Sequence, residues 1–365
     1  MYDNEPSYFL LMIALLPSLL PLLLMYFVKV HSTIGGDDKK LLDGFSLISL
    51  IIAGYLMVVI LLENVLTLGS TACILIFIIL FFLLASPISI AVKGQLRNLR
   101  FLSEASCHER IQLIDDADLL KQSRGELSNQ NESMPMRGEN MNLFQAMRTC
   151  DFWLLFLATS CGLGSGLATV NNISQIGGSL GYTSTETSTL VSLWSIWNFL
   201  GRFSGGYISD YFLHLQGYGR PLFMAIALLI MSIGHALISS GLPGVLYVGS
   251  ILVGVCYGSQ WSLMPIITSE IFGLRHFGTL FNAIAIASPL GSYILSVRLV
   301  GYIYDMESAA SGMKTCTGNH CFMLSFLIMT SVCILGFIAA LTLFFRTRMF
   351  YEQVIYARLQ HSTAL

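Results

Sequence analysis

Charged side chains are scarce in this chain, and the shortage excludes several classes of protein. Asp, Glu, Lys and Arg together make up 11% of its 365 residues, whereas hydrophobic residues make up 55% and the mean hydropathy is +0.71. Such a composition excludes a disordered chain and an ordinary soluble domain. The net charge of -2 gives no indication of nucleic-acid binding. The few charges are confined to particular loops, which is typical of membrane proteins.

The chain also lacks the motifs of the common enzyme classes. It contains no nucleophile elbow, no HExxH pair and no P-loop lysine. The glycine-rich stretch Gly162-Leu-Gly-Ser-Gly166 lies within an apolar run, with no strand before it and no lysine after it. Its glycines therefore indicate close helix packing instead of nucleotide binding. We expect no enzymatic activity, no cofactor and no bound metal.

Long apolar runs are what the sequence has in abundance. Nine of them are long enough to cross a bilayer, so we expect about nine transmembrane helices and an all-α polytopic membrane protein in contact with lipid. The predicted helices are Tyr8–Val28, Phe45–Leu62, Leu68–Val92, Phe152–Asn172, Glu186–Ser209, Leu222–Ser240, Val245–Ile267, Phe277–Tyr304 and Phe322–Phe345. They divide the chain into a three-helix part (1–92), a linker (93–150), a six-helix part (151–345) and a tail (346–365).

Basic residues are distributed unequally between the two sides of these predicted helices. The hydrophilic stretch Lys93–Thr149 and the loops on its side hold most of the Lys and Arg residues, whereas 172–185 and 239–244 hold none. The positive-inside rule therefore places the amino terminus outside and the carboxyl terminus in the cytosol. We expect a mostly disordered cytoplasmic linker, in which Asn142–Thr149 forms a short amphipathic helix on the membrane surface.

The most distinctive polar stretch is Gly201-Arg-Phe-Ser-Gly-Gly-Tyr-Ile-Ser-Asp210, which is followed by Gly219-Arg220. We expect it to form a short loop at a membrane face, between the apolar runs on either side. Gly201, Gly205 and Gly206 have no side chains, and such small residues allow two helices to approach closely. Asp210 and Arg220 would lie at the water interface and could pair as neighbouring helices shift.

Further charged residues lie on the same side of the predicted membrane. Arg202 is expected to be structural, pairing with Asp210 or Glu270 instead of binding a solute. Glu270, Arg275 and His276 bracket the next loop on this side. They could form a gating cluster that stabilises one closed face, or they could be a passive positive-inside anchor.

The pattern G-R-x-x-G-G-x-x-S-D…G-R resembles the signature loop of major facilitator transporters. Several other stretches are similar to the carboxyl-terminal domain of one branch of that superfamily, the plant nodulin-like or nuclear-fusion-defective-four-like branch. They are Asp151-Phe-Trp-Leu-Leu-Phe, Gly162-Leu-Gly-Ser-Gly, Asn171-Asn172, Gln175-Ile-Gly-Gly, Tyr257-Gly-Ser-Gln-Trp-Ser, Ser269-Glu-Ile-Phe-Gly, Gly301-Tyr-Ile-Tyr-Asp and Cys316…Cys321. Residues 8–92 resemble the end of that branch's nodulin-like domain.

This resemblance implies a major facilitator-type helical bundle that moves a small solute of unknown identity by alternating access. Such transporters pack two six-helix halves around a central site, but only three predicted helices precede the linker here. The chain therefore resembles a version truncated at its amino end, and a partner could supply the missing helices. The alternative is a non-transporting membrane protein that acts as a scaffold or assembly partner.

Polar side chains at membrane depth are the candidates for a solute site, because each needs a polar partner or a water-filled cavity. The candidates are Asn171, Asn172, Gln175, Asn198, Tyr257, Gln260, Asn282 and Arg298. The first three mark either a helix loosened beside the cavity or the outer end of a helix in water. Arg298 could clamp an anionic solute, or it could snorkel to the interface or pair with Asp305 or Glu307. A neutral polar solute would instead use the Asn and Gln side chains.

Two of the eight cysteines, Cys316 and Cys321, fall in one loop on the predicted outer side, and we expect a disulfide between them. His320 lies beside them, so a metal site is the alternative. Two cysteines and one histidine are too few ligands for a structural metal site without further partners, and this favours the disulfide.

Overall fold

The computed structural model of this chain describes residues 38–65, 74–83, 86, 137–242, 244–311 and 316–363, and all of its regular elements in these ranges are helices. The chain divides into two compact units, 1–44 and 45–365. Only residues 38–44 of the first unit are described, and they begin a helix. The predicted helix Tyr8–Val28 and most of the predicted linker lie outside the described residues, as does most of the predicted helix Leu68–Val92.

The helices are numbered here in chain order. They are α1 (Asp38–Val65), α2 (Ile74–Leu83), α3 (Leu143–Met147), α4 (Cys150–Ser179), α5 (Ser184–Gln216), α6 (Arg220–Ser240), α7 (Val245–Phe272), α8 (Phe277–Ala285), α9 (Ala287–Ser292), the π-helix π1 (Tyr293–Gly301), α10 (Tyr302–Ser311) and α11 (His320–Thr363). The elements α8, α9, π1 and α10 follow one another without a loop.

The helix ends follow local signals in the sequence. The Thr149 side chain accepts a hydrogen bond from a backbone N–H of the first turn of α4. Thr183 and Glu186 form a capping box at the start of α5. That helix ends at Gly217, whose φ of 75° is left-handed and favours glycine. Pro221 stands in the first turn of α6, where its missing N–H costs nothing.

The helices from α4 to α11 pack into one bundle. Helix α4 contacts α7, α9 and α11, while α6 contacts both α7 and α11, and α5 packs along α7. Side chains with no exposed surface meet between these helices, among them Leu155, Leu163, Met224, Leu228 and Phe326. Close packing of this kind holds helices together in a bilayer, where burial of apolar surface alone gives no preference for another helix over lipid.

The predicted all-α polytopic membrane protein is confirmed. In the part of the chain that the structure describes, five helical segments are long and apolar enough to cross a membrane: Cys150–Ser179, Arg220–Ser240, Val245–Phe272, Phe277–Ala309 and His320–Gln353. Helix α5, with 33 residues, is long enough but does not reach the same apolar character. The physical reason is its content of Ser, Thr and Gly together with Arg202 and Asp210. The predicted helix Phe45–Leu62 lies within α1, which is longer at both ends.

The expectation of a loop at Gly201–Asp210 is wrong, whereas the predicted helix Glu186–Ser209, which covers most of the same stretch, is present and longer at both ends. The whole stretch is helical within α5, and the connection to α6 is only residues 217–219. Glycine inside a helix costs about 1 kcal/mol relative to alanine, but here it permits close contact with α7. The chain is therefore held in the helix by packing, and the break comes at the left-handed Gly217.

Several further boundaries differ from the prediction. Helix α4 continues to Ser179 instead of ending at Asn172, and α11 continues through Phe345 to Thr363. Residues 137–149, which we call the strap, are folded against the bundle instead of being part of a disordered linker, and their helix is only Leu143–Met147. In each case the continuing residues make contacts across the bundle that a hydropathy pattern does not report.

Candidate functional site

A buried arginine organises one end of the bundle. Arg220 keeps only 9% of its side chain exposed, and its Nε donates to Glu270 Oε1 at 2.8 Å. Its Nη2 donates to Asp210 Oδ1 at 2.8 Å, and its Nη1 donates to Ser209 Oγ at 3.1 Å. One guanidinium therefore joins the last part of α5 and the last turn of α7 to the start of α6. Charge-assisted contacts of this kind are stronger than neutral hydrogen bonds.

The carboxylate of Glu270 is held from a second side by α11. The Tyr351 hydroxyl donates to Glu270 Oε2 at 2.8 Å, while the Tyr351 ring lies against Gly219. A side chain added at Gly219 would meet that ring at 2.6 Å, so the glycine is required by close approach. We call Arg220, Asp210, Ser209, Glu270 and Tyr351 the Arg220 network.

The strap closes over the same end of the bundle. The backbone N–H groups of Gly138 and Met141 donate to the carbonyls of Ile271 and Phe272, at 2.9 and 3.0 Å. These carbonyls lie at the end of α7, where helical partners are missing. We call this end of the bundle, with the strap and the α5–α6 turn, the linker end.

A second carboxylate anchors the strap to the bundle. Asp151 is 4% exposed and accepts from Arg137 Nε and Arg346 Nε, each at 2.7 Å. Arg137 also donates through Nη1 to the backbone carbonyl of Arg346, at 2.6 Å. The first turn of α4, the strap and α11 are thus tied together at one buried acid.

Helices α5 and α7 cross at very short range. A Cβ added at Gly258 would overlap the Asn198 carbonyl oxygen, and one added at Gly201 would overlap the Val255 carbonyl oxygen. At Gly205 an added Cβ would come within 2.8 Å of the Cα of Ser259. The Ser259 hydroxyl bridges the two helices by donating to the Gly201 carbonyl at 3.1 Å. Small residues therefore set the distance between these helices.

The expected pairing of Arg202 with Asp210 or Glu270 is wrong. Within the described ranges, no carboxylate pairs with Arg202, whose side chain is exposed. Its Nε donates to Asn198 Oδ1 at 3.3 Å, and its guanidinium lies 5.6 Å from the centre of the Trp261 ring. The physical reason is distance along the helix, because Arg202 and Asp210 lie eight residues apart, about 12 Å at 1.5 Å per residue.

The other predicted site residues are spread over several surfaces. Tyr257 and Gln260 are buried in the bundle, where Gln260 Nε2 lies 3.3 Å from the sulfur of Met231. Asn171 and Gln175 are exposed on a regular part of α4, and Gln175 lies close to the end of this helix. Asn172 donates to Ser296 Oγ of π1 at 2.8 Å. The roles predicted for these residues stay predictions.

Asn282 and Arg298 are also exposed, on the segment that runs from α8 to α10. Asn282 donates to the Gly278 carbonyl of its own helix at 2.9 Å. Arg298 lies in π1, and among the residues that the structure describes it forms no ion pair with Asp305 or Glu307. Arg275 contributes its backbone N–H to Asn140 Oδ1 at 3.0 Å, while its exposed side chain is separate from the Arg220 network.

The opposite end of the bundle carries the two loop cysteines. Cys316 and Cys321 form a disulfide with an S–S distance of 2.00 Å, and oxidised sulfurs are not available as thiolate metal ligands. The same loop is pinned to the bundle through the Gly318 N–H to the Ser179 carbonyl and the Asn319 side chain to the Ser240 carbonyl, at 2.8 and 3.0 Å. We call this the disulfide end.

An apolar cavity of about 230 Å³ lies between α1 and the middle of α5. Its lining consists of Ser49, Ile52, Ala53, Leu56, Ser195, Ile196 and Phe199. Five of these seven side chains are aliphatic or aromatic, so the walls of the cavity are mainly apolar. It can take an apolar group but offers no charged group to orient one.

Sequence reasoning missed several residues of this site. Ser209 lies inside the recognised motif but carries no signal of its own. Tyr351 and Arg346 lie in the region predicted as a tail, and Arg137 in the region predicted as a linker. Tyr351 and Arg346 bind carboxylates 81 and 195 residues away, and Arg137 binds a carboxylate 14 residues away and a carbonyl 209 residues away. No local pattern could have identified the long-range partners.

These features define a class: an all-α integral membrane protein that crosses the membrane repeatedly. Comparison with known families goes further. The family model described as NFD4, C-terminal domain, matches residues 138–353, and the one described as Nodulin-like matches residues 1–92. The chain belongs to the NFD4 C-terminal domain family, as its sequence motifs predicted.

Individual relatives are similar over part of their length. The chain is 32% identical to the protein NUCLEAR FUSION DEFECTIVE 4 of Arabidopsis thaliana over 213 residues, which is 56% of this chain and 36% of that protein. It is 28% identical to the probable transporter MCH1 of Yarrowia lipolytica, covering 40% of this chain and 31% of that one. It is 26% identical to the riboflavin transporter MCH5 of Saccharomyces cerevisiae, covering 40% and 29%. The matched part thus spans about a third of each relative.

Proposed function

We propose that this chain carries a small solute across a membrane by alternating access, with its linker end and carboxyl terminus in the cytosol. Relatives named as transporters support the general activity. The excess of Arg and Lys in loops at the linker end supports the orientation. In alternating access, two helical bundles rock about a central site, and contacts at one end stabilise the closed face. The Arg220 network suits that role because one guanidinium joins three helices.

The observation that carries the solute proposal is the unpaired charge of Arg202. It lies near the middle of α5, beside the close crossing with α7. A charge at membrane depth needs water or a counter-charge, and no carboxylate in the described part of the chain supplies one. Asn198 accepts a hydrogen bond from the Arg202 Nε, and this contact orients the two terminal nitrogens of Arg202 for a bidentate contact. A small carboxylate or phosphate is the solute that fits.

The test is uptake of radiolabelled solutes into proteoliposomes that contain the full chain. Pyruvate represents small anions, glycerol represents neutral solutes, and riboflavin is included because a yeast relative is named for it. We expect saturable uptake of pyruvate, reduced about tenfold or more by Arg202→Gln, because a charge-assisted bidentate contact is lost. Arg348→Gln is the matched control, since this exposed arginine pairs with Glu352 at the end of the bundle. Pyruvate uptake that survives Arg202→Gln would reject the anion site.

The same assay tests the alternative of a non-transporting scaffold or assembly partner. The matched part of this chain covers 36% of the Arabidopsis relative, so helices from another source could complete a central site. Uptake that appears only with a version extended upstream of Met1, or with a second membrane protein, would favour the alternative. Uptake by the chain alone would reject it.

A further inference from the structure

Tyr351 stands where the last helix meets the Arg220 network. It is 2% exposed, and its hydroxyl donates to Glu270 Oε2 at 2.8 Å. The other oxygen of Glu270 accepts from Arg220 Nε at the same distance of 2.8 Å. The hydrogen bonds therefore run without a break from α11 through α7 to α6, and Arg220 extends them to α5 through Asp210.

The neighbours of Tyr351 on α11 contact the strap. Arg346 binds Asp151 beside Arg137, and the Phe350 ring lies 2.8 Å from the position of a Cβ added at Gly138. Three positions within two turns of α11 thus contact the strap, the start of α4, the start of α6 and the end of α7. This part of α11 therefore connects several elements of the linker end.

A carboxylate held by one partner can rotate, whereas one held at both oxygens is fixed in direction. Glu270 is 23% exposed at its side chain, so water could replace the Tyr351 hydroxyl but would not fix the carboxylate in the same way. Arg220 is almost fully buried and depends on the direction of that carboxylate. The Tyr351 hydroxyl can therefore affect Arg220 without touching it.

We propose that Tyr351 is a positioning residue: its hydroxyl fixes Glu270 so that Arg220 can bridge α5, α6 and α7, and it thereby couples the carboxyl-terminal helix to the closed state of the linker end. The contact itself does not depend on the proposed transport function, but its effect on transport rests on that function. A simpler reading is that the Tyr351 ring only fills space against Gly219.

The two readings are separated by removing the hydroxyl while keeping the ring. Tyr351→Phe in the full chain, reconstituted in lipid nanodiscs, is compared with the unmodified chain by hydrogen–deuterium exchange and mass spectrometry. We expect amide exchange about tenfold faster in the last turn of α7 and in the turn at residues 217–219, because local opening follows the stability of the contacts that close it. Tyr211→Phe is the control, since Tyr211 is 54% exposed and the described residues give its hydroxyl no hydrogen-bond partner.

A double-variant comparison shows whether Tyr351 acts through Glu270. Glu270→Ala alone should accelerate exchange in the same segments, and adding Tyr351→Phe to it should change the rate less than twofold, because the hydroxyl then has no side chain to position. Exchange in Tyr351→Phe equal to that of the unmodified chain, with acceleration only in Tyr351→Ala, would overturn the proposal in favour of ring packing. Additive effects in the double variant would overturn it as well.

Transport is measured separately, so that the two proposals can fail independently. If pyruvate uptake occurs, we expect Tyr351→Phe to change its rate at least twofold and Tyr211→Phe to leave it unchanged. Faster exchange in a chain that takes up no solute would leave the positioning role intact and reject the transport function. Solute uptake together with unchanged amide exchange in Tyr351→Phe would leave the transport function intact and reject the positioning role.

Discussion

At the scale of single residues, substitution of Arg220 is expected to lower the free energy of unfolding strongly. It is nearly buried and binds two carboxylates and a hydroxyl. Arg220→Met keeps much of the side-chain volume but leaves Glu270 without its counter-charge. We expect a loss of about 2–3 kcal/mol in the free energy of unfolding, below the full cost of breaking a buried pair because Asp210 is half exposed. The measurement is reversible unfolding in mixed bicelles.

The control for that prediction is Arg348→Met. Arg348 is 62% exposed and forms an ion pair with Glu352 one turn away, which contributes well under about 1 kcal/mol. Equal stability of Arg220→Met and the unmodified chain would contradict the buried role of Arg220. Equal losses in both variants would show that the bicelle measurement responds to charge in general.

The two arginines of the motif also show how far sequence reasoning reaches. Asp210 and Arg220 were expected to pair, and their contact is 2.8 Å. Arg202 was expected to pair with Asp210 or Glu270, and no carboxylate among the described residues pairs with it. In a continuous helix Arg202 and Asp210 are fixed about 12 Å apart. The missing information was the helical state of the glycine-rich stretch, which depends on packing against α7 and not on the stretch itself.

At the scale of helices, the α5–α7 crossing sets a limit on side-chain size. Gly258→Ala places a methyl group against the Asn198 carbonyl oxygen, which lies in the backbone of a neighbouring helix and cannot turn away. We expect a loss of about 1–3 kcal/mol from overpacking. Gly278→Ala is the matched control, since an added Cβ there meets nothing within 4 Å and alanine favours the helix. A stable Gly258→Ala variant would mean that the two helices can separate at little cost.

Asp151 gives the strap an ionic anchor on the bundle. Asp151→Asn keeps the shape of the side chain but removes the charge that Arg137 and Arg346 share. We expect trypsin to cleave after Arg148 about tenfold faster in this variant, because the strap opens more often while the bundle stays folded. Glu352→Gln, which removes an exposed pair on α11, should leave the rate unchanged. Unchanged cleavage in Asp151→Asn would show that the charge of Asp151 is not needed to hold the strap.

Helix positions were easier to predict than helix ends. Apolar runs identified α4, α6 and α7 to within about seven residues at either end, since long apolar stretches are the strongest signal in a membrane protein. The ends differ where a helix continues past its apolar part, as α11 does to Thr363. Hydropathy reports where lipid is, whereas helices end where a cap or a left-handed glycine stops them.

At the scale of the whole molecule, composition and motif order predicted the class and the family, because both depend on properties summed over many residues. The linker end was predicted in part. Its arginine and two acids carry charge, and charge is conspicuous in an apolar sequence. Tyr351 and the strap were not predicted, because their contribution comes from contacts between distant parts of the chain. Such contacts produce no periodic pattern in the amino-acid sequence.

The orientation of the whole molecule can be tested with its own cysteines. Cys150 is free and exposed at the linker end, whereas Cys316 and Cys321 are joined at the disulfide end. In sealed cells, we expect a membrane-impermeant maleimide to label Cys316 and Cys321 only after an impermeant phosphine has reduced them. Cys150 should be labelled only after the membrane is permeabilised, because the positive-inside distribution places its end in the cytosol. Peptide-resolved mass spectrometry distinguishes these sites from the other cysteines, and labelling of Cys150 in sealed cells would reverse the proposed orientation.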